Sequence, residues 1–177
     1  MIYKLIVAYC ANKGIGKDNT LPWNIRSDLI KFSQLTKGSG NNAIVMGKNT
    51  WLSIPKAPLP GRENLILSKS LKMSDLPGGN RKNVRIFKNF EDLNLYCGEK
   101  FEEIWIIGGS RVYQDFLHKD LIQEMHVTYI DKEFDCDTFF PDFDERKWSI
   151  KSEQHKSRET HDFNIYNQVY IREKMDD

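Results

Sequence analysis

Short apolar runs that pass through glycine into helical segments recur along the chain and constrain its fold most. Residues 43–47 and 104–108 have the composition of strands buried on both faces, and each leads through glycine into a helix start. A third apolar run, residues 5–11, ends at a glycine-containing turn. Because strands that alternate with helices form parallel βαβ units, the pattern predicts an α/β fold with a mostly parallel sheet.

The remaining pattern predicts one domain over residues 1–177, with a twisted sheet of about eight strands and about four flanking helices. A chain of 177 residues is long enough to bury one core of its own. Two alternating stretches, residues 148–153 and 163–172, predict antiparallel strands at the C-terminal edge of the sheet. Residues 12–24 and 71–83 are predicted as loops. Residues 131–141 are predicted as a solvated strand or loop.

Composition excludes several classes of function. Twenty-six basic and 25 acidic residues give a net charge of +1, so no overall field attracts nucleic acid or an anionic membrane. Cys10, Cys97 and Cys136 are odd in number and form no CxxC pair, which predicts a reducing, cytoplasmic location. The four histidines lack metal-ligand spacing, so no metal is expected. Residues 5–11 are too few to span a bilayer.

Asp28 is the polar residue that stands out in the segment 21–35. Ser27 is expected to cap the helix with its hydroxyl, which places Asp28 in the first turn. Asp28 then shares one helical face with apolar residues: Leu29, Phe32 and Leu35. Two interpretations stay open. In one, the negative charge of the carboxylate only stabilises the N-terminus of the helix. In the other, the carboxylate lies in an apolar cleft, where it binds the N–H donors of a ligand.

Three turns are predicted to gather beyond the carboxyl ends of the strands, where ligands bind in such sheets: residues 12–16, 47–50 and 108–111. A glycine followed by helix N–H groups can hold a phosphate, and the last two turns also carry hydroxyl and basic side chains. They predict a cradle for a pyrophosphate, although a glycine at such a turn can serve backbone geometry alone. The first turn lacks the third glycine of a dinucleotide fingerprint.

Six short motifs occur in a fixed order: Ile15-Gly16-x-x-Asn19-x-Leu21-Pro22-Trp23, Asp28-Leu29-x-x-Phe32, Val45-Met46-Gly47-Lys48-x-Thr50-Trp51-x-Ser53-Ile54, Pro58-Leu59-Pro60-Gly61-Arg62-x-Asn64, Ile107-Gly108-Gly109-x-x-Val112-Tyr113 and Asp137-Thr138-x-Phe140-Pro141. Together they resemble the dihydrofolate reductase family over about residues 1–172. The resemblance implies NADPH-dependent reduction of 7,8-dihydrofolate to 5,6,7,8-tetrahydrofolate, which supplies one-carbon carriers for thymidylate and purine synthesis.

The resemblance also implies the substrate site. The carboxylate of Asp28 would bind the amino-pyrimidine edge of the pteridine, with Thr128 bonded to it. Leu21 and Trp23 would exclude bulk solvent, and Arg62 would pair with the glutamate tail. Further substrate contacts are implied at Ile6, Val7, Leu29, Phe32, Ile54, Leu59, Ile107 and Tyr113.

For the cofactor NADPH, the resemblance implies contacts at Ala8, Ile15, Gly16, Gly47, Lys48, Asn49, Thr50, Ser68, Lys69, Gly108, Gly109, Ser110, Arg111, Val112 and Tyr113. Lys48 and Lys69 supply compact positive charge for the adenosine 2′-phosphate, where an enzyme specific for NADH would carry an acid toward the ribose. A monomer that binds antifolate inhibitors is expected.

Two alternative functions stay open at this point. A pyrimidine reductase of riboflavin synthesis resembles the same architecture but has less reason to combine Asp28, Phe32 and Arg62. A non-catalytic folate or nucleotide carrier is the other alternative, because a fold does not determine a function.

Overall fold

The computed structural model describes residues 2–76, 82–156 and 161–174. In chain order the elements are β1 (Ile2–Cys10), β2 (Gly14–Gly16), α1 (Arg26–Lys37), β3 (Asn42–Gly47), α2 (Lys48–Ser53), β4 (Glu63–Leu67), β5 (Val84–Phe87), α3 (Phe90–Cys97), β6 (Glu103–Gly108), α4 (Ser110–His118), β7 (Ile122–Asp131), β8 (Thr138–Phe139), β9 (Trp148–Lys156) and β10 (Asn164–Arg172). Short 3₁₀ turns lie at Met73–Asp75 and Glu145–Lys147. None of the helices in these ranges has both the length and the apolar character needed to cross a membrane.

Eight strands form the main sheet, in the order β5-β4-β3-β6-β1-β7-β10-β9. β1 is central and runs parallel to both neighbours, β6 and β7. β10 is antiparallel to β7 and to the edge strand β9. These observations confirm the prediction of a single α/β domain with a mostly parallel sheet, four helices and an antiparallel C-terminal edge.

The two faces of the sheet bury different side chains. Ile6 and Trp105 belong to one core cluster, whereas Val7 and Val127 belong to another. Successive residues of a strand point to opposite faces, so β1 and its neighbours need apolar residues at nearly every position. This is why the central strands appear in the sequence as continuous apolar runs.

The start of α1 corrects the predicted cap. Ile25, and not Ser27, occupies the N-cap position, and no side chain caps the helix. The N–H groups of Asp28 and Leu29 bond to the carbonyl oxygen of Ile25 at 3.1 and 3.3 Å. Ile25 is 3% exposed and packs in a cluster with Trp23. Burial of an apolar side chain therefore sets the helix start, and the prediction of a Ser27 cap is wrong.

Two predicted loops carry more structure than expected. Within residues 12–24, β2 pairs antiparallel with β8, a segment about 120 residues away in the chain, and Lys17 bridges to Thr20. Within residues 71–83, Leu76 is buried in the core beside Ile66; residues 77–81 of that stretch lie outside the described residues. In both cases partners from distant segments supply the order, which local composition does not reveal.

Candidate active site

Asp28 and Thr128 meet where α1 crosses the sheet. The Thr128 hydroxyl donates a hydrogen bond to Asp28 Oδ1 at 2.5 Å. Thr128 is 4% exposed, whereas Asp28 is half-buried and keeps acceptor capacity on its carboxylate. Thr128 lies on β7 opposite Ala8 of the central strand. The carboxylate is therefore held over the middle of the sheet, with room for further donors.

Five of the apolar residues implied as substrate contacts form a continuous surface. Ile6 belongs to one buried cluster, and Phe32, Ile54, Leu59 and Ile107 pack against that cluster while staying half-buried. Phe32 follows Asp28 by one helical turn, so the two share a face of α1. A half-covered apolar surface beside an acid is suited to a flat heterocycle that offers N–H groups along one edge.

Three other implied contacts lie differently. The side chain of Val7 packs in the cluster on the opposite face of the sheet, so it does not line the Asp28 face; strand alternation is the physical reason. Leu29 is 52% exposed, outside the buried cluster. Tyr113 is buried, and its hydroxyl lies 2.8 Å from the carbonyl oxygens of both Ile6 and Ile107, to which it can donate. Tyr113 therefore ties β1 to β6 at the end of the sheet.

Trp23 and Leu21 differ sharply in exposure. Trp23 is 7% exposed and packs edge-on against Phe134, with ring centroids 5.4 Å apart. Its indole N–H is buried and has no hydrogen-bond partner among the described residues. A buried donor without a protein partner is a position for a water molecule or a ligand atom. Leu21 is 51% exposed in the same segment.

Arg62 is buried, contrary to what is usual for arginine. It is 5% exposed; Nε donates to the Pro60 carbonyl at 2.9 Å and Nη1 to the Thr36 hydroxyl at 3.0 Å. Burial lowers the pKa of Arg62 from its ordinary value. No carboxylate of the described residues forms an ion pair with it. Such a fixed guanidinium can bind a carboxylate through two parallel N–H bonds.

The loop that carries Arg62 is shaped by Asn64. The Asn64 side chain accepts from the N–H of Leu59 at 2.9 Å and donates to the carbonyl of Leu59 at 2.9 Å. Asn64 itself is fully buried at the start of β4. The proline-rich loop is therefore closed by one side chain, which places Leu59 and Arg62 along the same side of the apolar surface.

The turns at Gly47 and at Gly108–Gly109 lie side by side. A Cβ at Gly47 would stand 3.2 Å from Val112 Cγ2, and one at Gly109 would stand 3.5 Å from Thr50 Oγ1. Gly108 has φ of +116°, and a Cβ there would stand 3.1 Å from the Tyr113 ring. The predicted gathering of these two turns is confirmed. The two turns can lie this close together because glycine has no Cβ.

The turn of residues 12–16 reaches the same region through β8. The Ser110 hydroxyl donates to the carbonyl oxygen of Phe139 at 2.7 Å, and Phe139 pairs with Gly14 of β2. The N-terminus of α4 is thereby joined to the segment that carries Ile15 and Gly16. All three turns consequently surround one end of the central strands.

Positive charge lies beside these turns. Lys48 Nζ donates to the Ser70 hydroxyl at 3.3 Å, and the Ser68 hydroxyl accepts from the N–H of Ser70 at 3.3 Å. Lys48, Asn49, Lys69 and Arg111 are all exposed. Ammonium groups, hydroxyls and the first N–H groups of α4 are a donor set suited to phosphates, and the glycine turns provide the space. The residues present therefore fit a phosphate-bearing dinucleotide such as NADPH.

Comparison with known proteins agrees with this geometry. Residues 2–172 match the family described as dihydrofolate reductase. The chain belongs to the dihydrofolate reductase family. The dihydrofolate reductase of Drosophila melanogaster is 43% identical over 78% of this chain and 79% of its own length. That of Gallus gallus is 37% identical over 84% and 82%, and that of Aedes albopictus is 34% identical over 98% and 97%. Family membership confirms the resemblance drawn from the six motifs.

The reductase also has polar residues at this site that sequence reasoning missed. Lys31 Nζ donates to Asn167 Oδ1 at 3.1 Å, and the same oxygen lies 3.3 Å from Thr128 Oγ1. Lys31 follows Asp28 by three residues in α1, so helical spacing alone could have indicated their proximity. Asn167 lies on β10, far along the chain, and only the pairing of β10 with β7 brings it to Thr128.

Proposed function

We propose that this protein catalyses the NADPH-dependent reduction of 7,8-dihydrofolate to 5,6,7,8-tetrahydrofolate. The observation that carries the proposal is the Asp28–Thr128 pair beside a half-covered apolar surface, in a chain of the dihydrofolate reductase family. The relatives at 34–43% identity bear the name dihydrofolate reductase. A glycine-lined region with lysines stands at the adjoining strand ends, where the family's cofactor would bind.

Asp28 binds and orients the pteridine. With one oxygen bonded to Thr128, its carboxylate accepts N–H bonds from the amino-pyrimidine edge of the ring. Reduction of a C=N bond by hydride builds negative charge on the nitrogen, so a proton must arrive in step. A partly desolvated carboxylate beside the ring favours the protonated substrate. Asp28 therefore acts by holding the proton on the bound pteridine.

The chain's other residues position the reactants and exclude water. Lys48 and Lys69 would hold the 2′-phosphate of NADPH, and the glycine turns admit its pyrophosphate. NADPH supplies the hydride when bound. Trp23 and Leu21 shield the reacting region from bulk solvent. Arg62 binds the carboxylate tail of the substrate.

Replacement of the central acid tests this function. In Asp28→Asn we expect turnover with dihydrofolate at neutral pH to fall by about 100-fold or more, because the proton is no longer held on the bound ring. Turnover should partly recover in acid, where the substrate arrives already protonated. The measurement is the loss of reduced nicotinamide absorbance across the pH range, with circular dichroism to show retained folding.

The exposed acid Asp115 on α4 provides the matched control. Asp115→Asn makes the same chemical change outside the site and should leave turnover unchanged. Undiminished neutral-pH turnover in Asp28→Asn would contradict the role given to Asp28. Turnover with a pyrimidine of riboflavin synthesis instead of dihydrofolate would favour the second reductase, and binding without turnover would favour a carrier.

We also propose a monomeric, cytoplasmic enzyme that binds antifolates with an amino-pyrimidine edge. The three cysteines of the chain are free, and Cys10 and Cys97 are buried, which suits a reducing compartment. An antifolate would meet the same Asp28 carboxylate as the substrate. Light scattering should give the mass of one chain, and an antifolate should compete with dihydrofolate.

A further inference from the structure

A line of polar groups continues from Asp28 beyond the family's acid and threonine. Thr128 Oγ1 lies 2.5 Å from Asp28 Oδ1 and 3.3 Å from Asn167 Oδ1. Lys31 Nζ lies 3.1 Å from the same oxygen of Asn167. Lys31 and Asp28 stand three residues apart on α1, so the line returns to the helix on which it began. Four side chains from α1, β7 and β10 thus enclose one small polar region.

The hydrogen bonds in this region indicate where the hydroxyl proton of Thr128 points. The Thr128 hydroxyl has a single proton and two nearby oxygen acceptors. Asn167 Oδ1 already accepts from the ammonium of Lys31. The contact with Asp28 is 0.8 Å shorter than the contact with Asn167, so the proton points to the carboxylate. An amide oxygen that already accepts from an ammonium competes less for a second proton, so the bond from Lys31 to Asn167 leaves the Thr128 proton to Asp28.

Lys31 also places a positive charge next to the carboxylate. Burial lowers the pKa of Lys31, and the charge of Asp28 opposes that effect. Attraction between two opposite charges is mutual, so the ammonium of Lys31 also acts on the negative charge carried at Asp28. A proton shared between Asp28 and the bound ring is bound less tightly when this cation is present.

We propose that Lys31 and Asn167 are positioning residues for the Asp28–Thr128 pair, and that the ammonium of Lys31 sets the pH at which the bound pteridine loses its proton. The inference rests on the proposed role of Asp28. It assigns the pH dependence of the reaction to two residues that do not touch the substrate.

The electrostatic surroundings of the region include groups from five elements. Asp28 and Lys31 lie on α1, and the groups next to them are Thr128 on β7, Lys156 on β9 and Asn167 on β10. His126 on β7 interacts with Lys31, and also with Glu124 on β7 and Lys4 on β1. Glu124 is paired with Lys4 at 2.8 Å. Lys31 is thus a cation that its hydrogen bond to Asn167 holds close to the Asp28–Thr128 pair.

The test is the pH dependence of single-turnover hydride transfer from NADPH to dihydrofolate. The rate should fall as pH rises. In Lys31→Met we expect this fall to occur at a pH about half a unit or more higher, because removal of the cation raises the proton affinity of the site. Lys31→Arg keeps the charge and should restore the original profile. Lys100→Met, a charge-matched control in the segment between α3 and β6, should leave the profile in place.

Asn167→Leu replaces the amide with an apolar side chain of similar size. It should move the pH profile in the same direction as Lys31→Met, but by less. The shift in the double variant Lys31→Met/Asn167→Leu should be smaller than the sum of the two single shifts, since both act on one network. If Lys31→Met does not fold cooperatively, Lys31→Gln provides the same loss of charge.

Suppose that Asp28→Asn loses turnover at neutral pH but the Lys31→Met and Lys31→Gln variants keep the parent pH profile. This result would overturn the inference and leave the role of Asp28 intact. Equal shifts in Lys31→Met and Lys31→Arg would also overturn it, because charge would not be the cause. If Asp28→Asn itself keeps full neutral turnover, the proposed function fails first.

Discussion

Gly14 marks the closest approach between the segment that carries β2 and the loop before β8. A Cβ at this position would stand 2.6 Å from the Cβ of Cys136, and it would also meet the Cys136 sulfur. The first of these neighbours is fixed to the backbone and cannot swing away. Glycine is therefore needed here for space, in addition to any service to the cofactor.

A substitution at Gly14 should consequently destabilise the fold. We expect Gly14→Ala to lower the free energy of unfolding by about 1–3 kcal/mol, the range for overpacking of a tight contact. The measurement is urea denaturation. Cys136→Gly removes the opposing atoms. Gly14→Ala should therefore destabilise the Cys136→Gly protein less than it destabilises the parent. A Gly14→Ala protein as stable as the parent would contradict the geometry.

Asp28 illustrates how far a single residue can be interpreted without its neighbours. The sequence placed it in the first turn of α1, and that position is confirmed although the cap is Ile25 and not Ser27. The spacing could not show that Thr128, 100 residues later, would donate to it at 2.5 Å. This contact between distant segments supports the ligand-binding interpretation of Asp28 that the proposed function uses.

At the scale of elements, the ends of β3 and β4 bring together the residues proposed to contact the 2′-phosphate of NADPH. Lys48 follows β3 directly, and Ser68 and Lys69 follow β4; the two strands are parallel neighbours, so their carboxyl ends meet. Lys48 reaches across to Ser70, which places its ammonium beside the end of β4. These residues carry positive charge but no acid, as expected for a 2′-phosphate site.

Removal of both lysines should weaken NADPH binding selectively. In Lys48→Ala/Lys69→Ala we expect the dissociation constant of NADPH to rise about ten-fold or more, since hydrogen bonds to charged groups contribute about 1.5–3 kcal/mol. The constant for NADH, which lacks the 2′-phosphate, should change much less. Fluorescence titration with both nucleotides measures the difference. Equal losses for the two would show that the lysines do not contact the phosphate.

At the scale of the whole molecule, a half-buried histidine couples stability to pH. His126 lies on β7, with Nε2 3.6 Å from Glu124 Oε1 and its ring 5.1 Å from that of Trp105. Burial lowers the pKa of His126 below its usual value near 6.5, against the opposing charge of Glu124. Nε2 has no hydrogen-bond partner among the described residues. The folded protein therefore resists protonation here more than the unfolded chain does.

The sign of the effect follows from proton linkage. As pH falls below about 6.5, the unfolded chain takes up a proton at His126 before the folded protein does, so the free energy of unfolding decreases. The slope can reach about 1.4 kcal/mol per pH unit for one such group. His126→Phe keeps an aromatic ring against Trp105 and should flatten this part of the curve. Urea denaturation between neutral and mildly acidic pH measures it, and an equally steep decline in His126→Phe would assign the slope to other groups.

Local sequence determined most of the element pattern of this protein. Strands β3 (Asn42–Gly47) and β6 (Glu103–Gly108) cover the runs predicted at residues 43–47 and 104–108, because a continuous apolar run reflects burial on both faces of the sheet. Glycine at the turns after β3 and β6 was equally visible, since a missing side chain is a local property. The fold class followed from the alternation of strands and helices.

Contacts between distant segments decided the rest. Ile25 replaced Ser27 at the start of α1 because its side chain is buried beside Trp23. Val7 faces the opposite core from Ile6, which a continuous apolar run leaves undetermined. The pairing of β2 with β8, and the arrival of Asn167 beside Thr128, depend on how the sheet is assembled. Sequence specifies local burial and backbone freedom, whereas the partners of a polar side chain are specified only when the chain has folded.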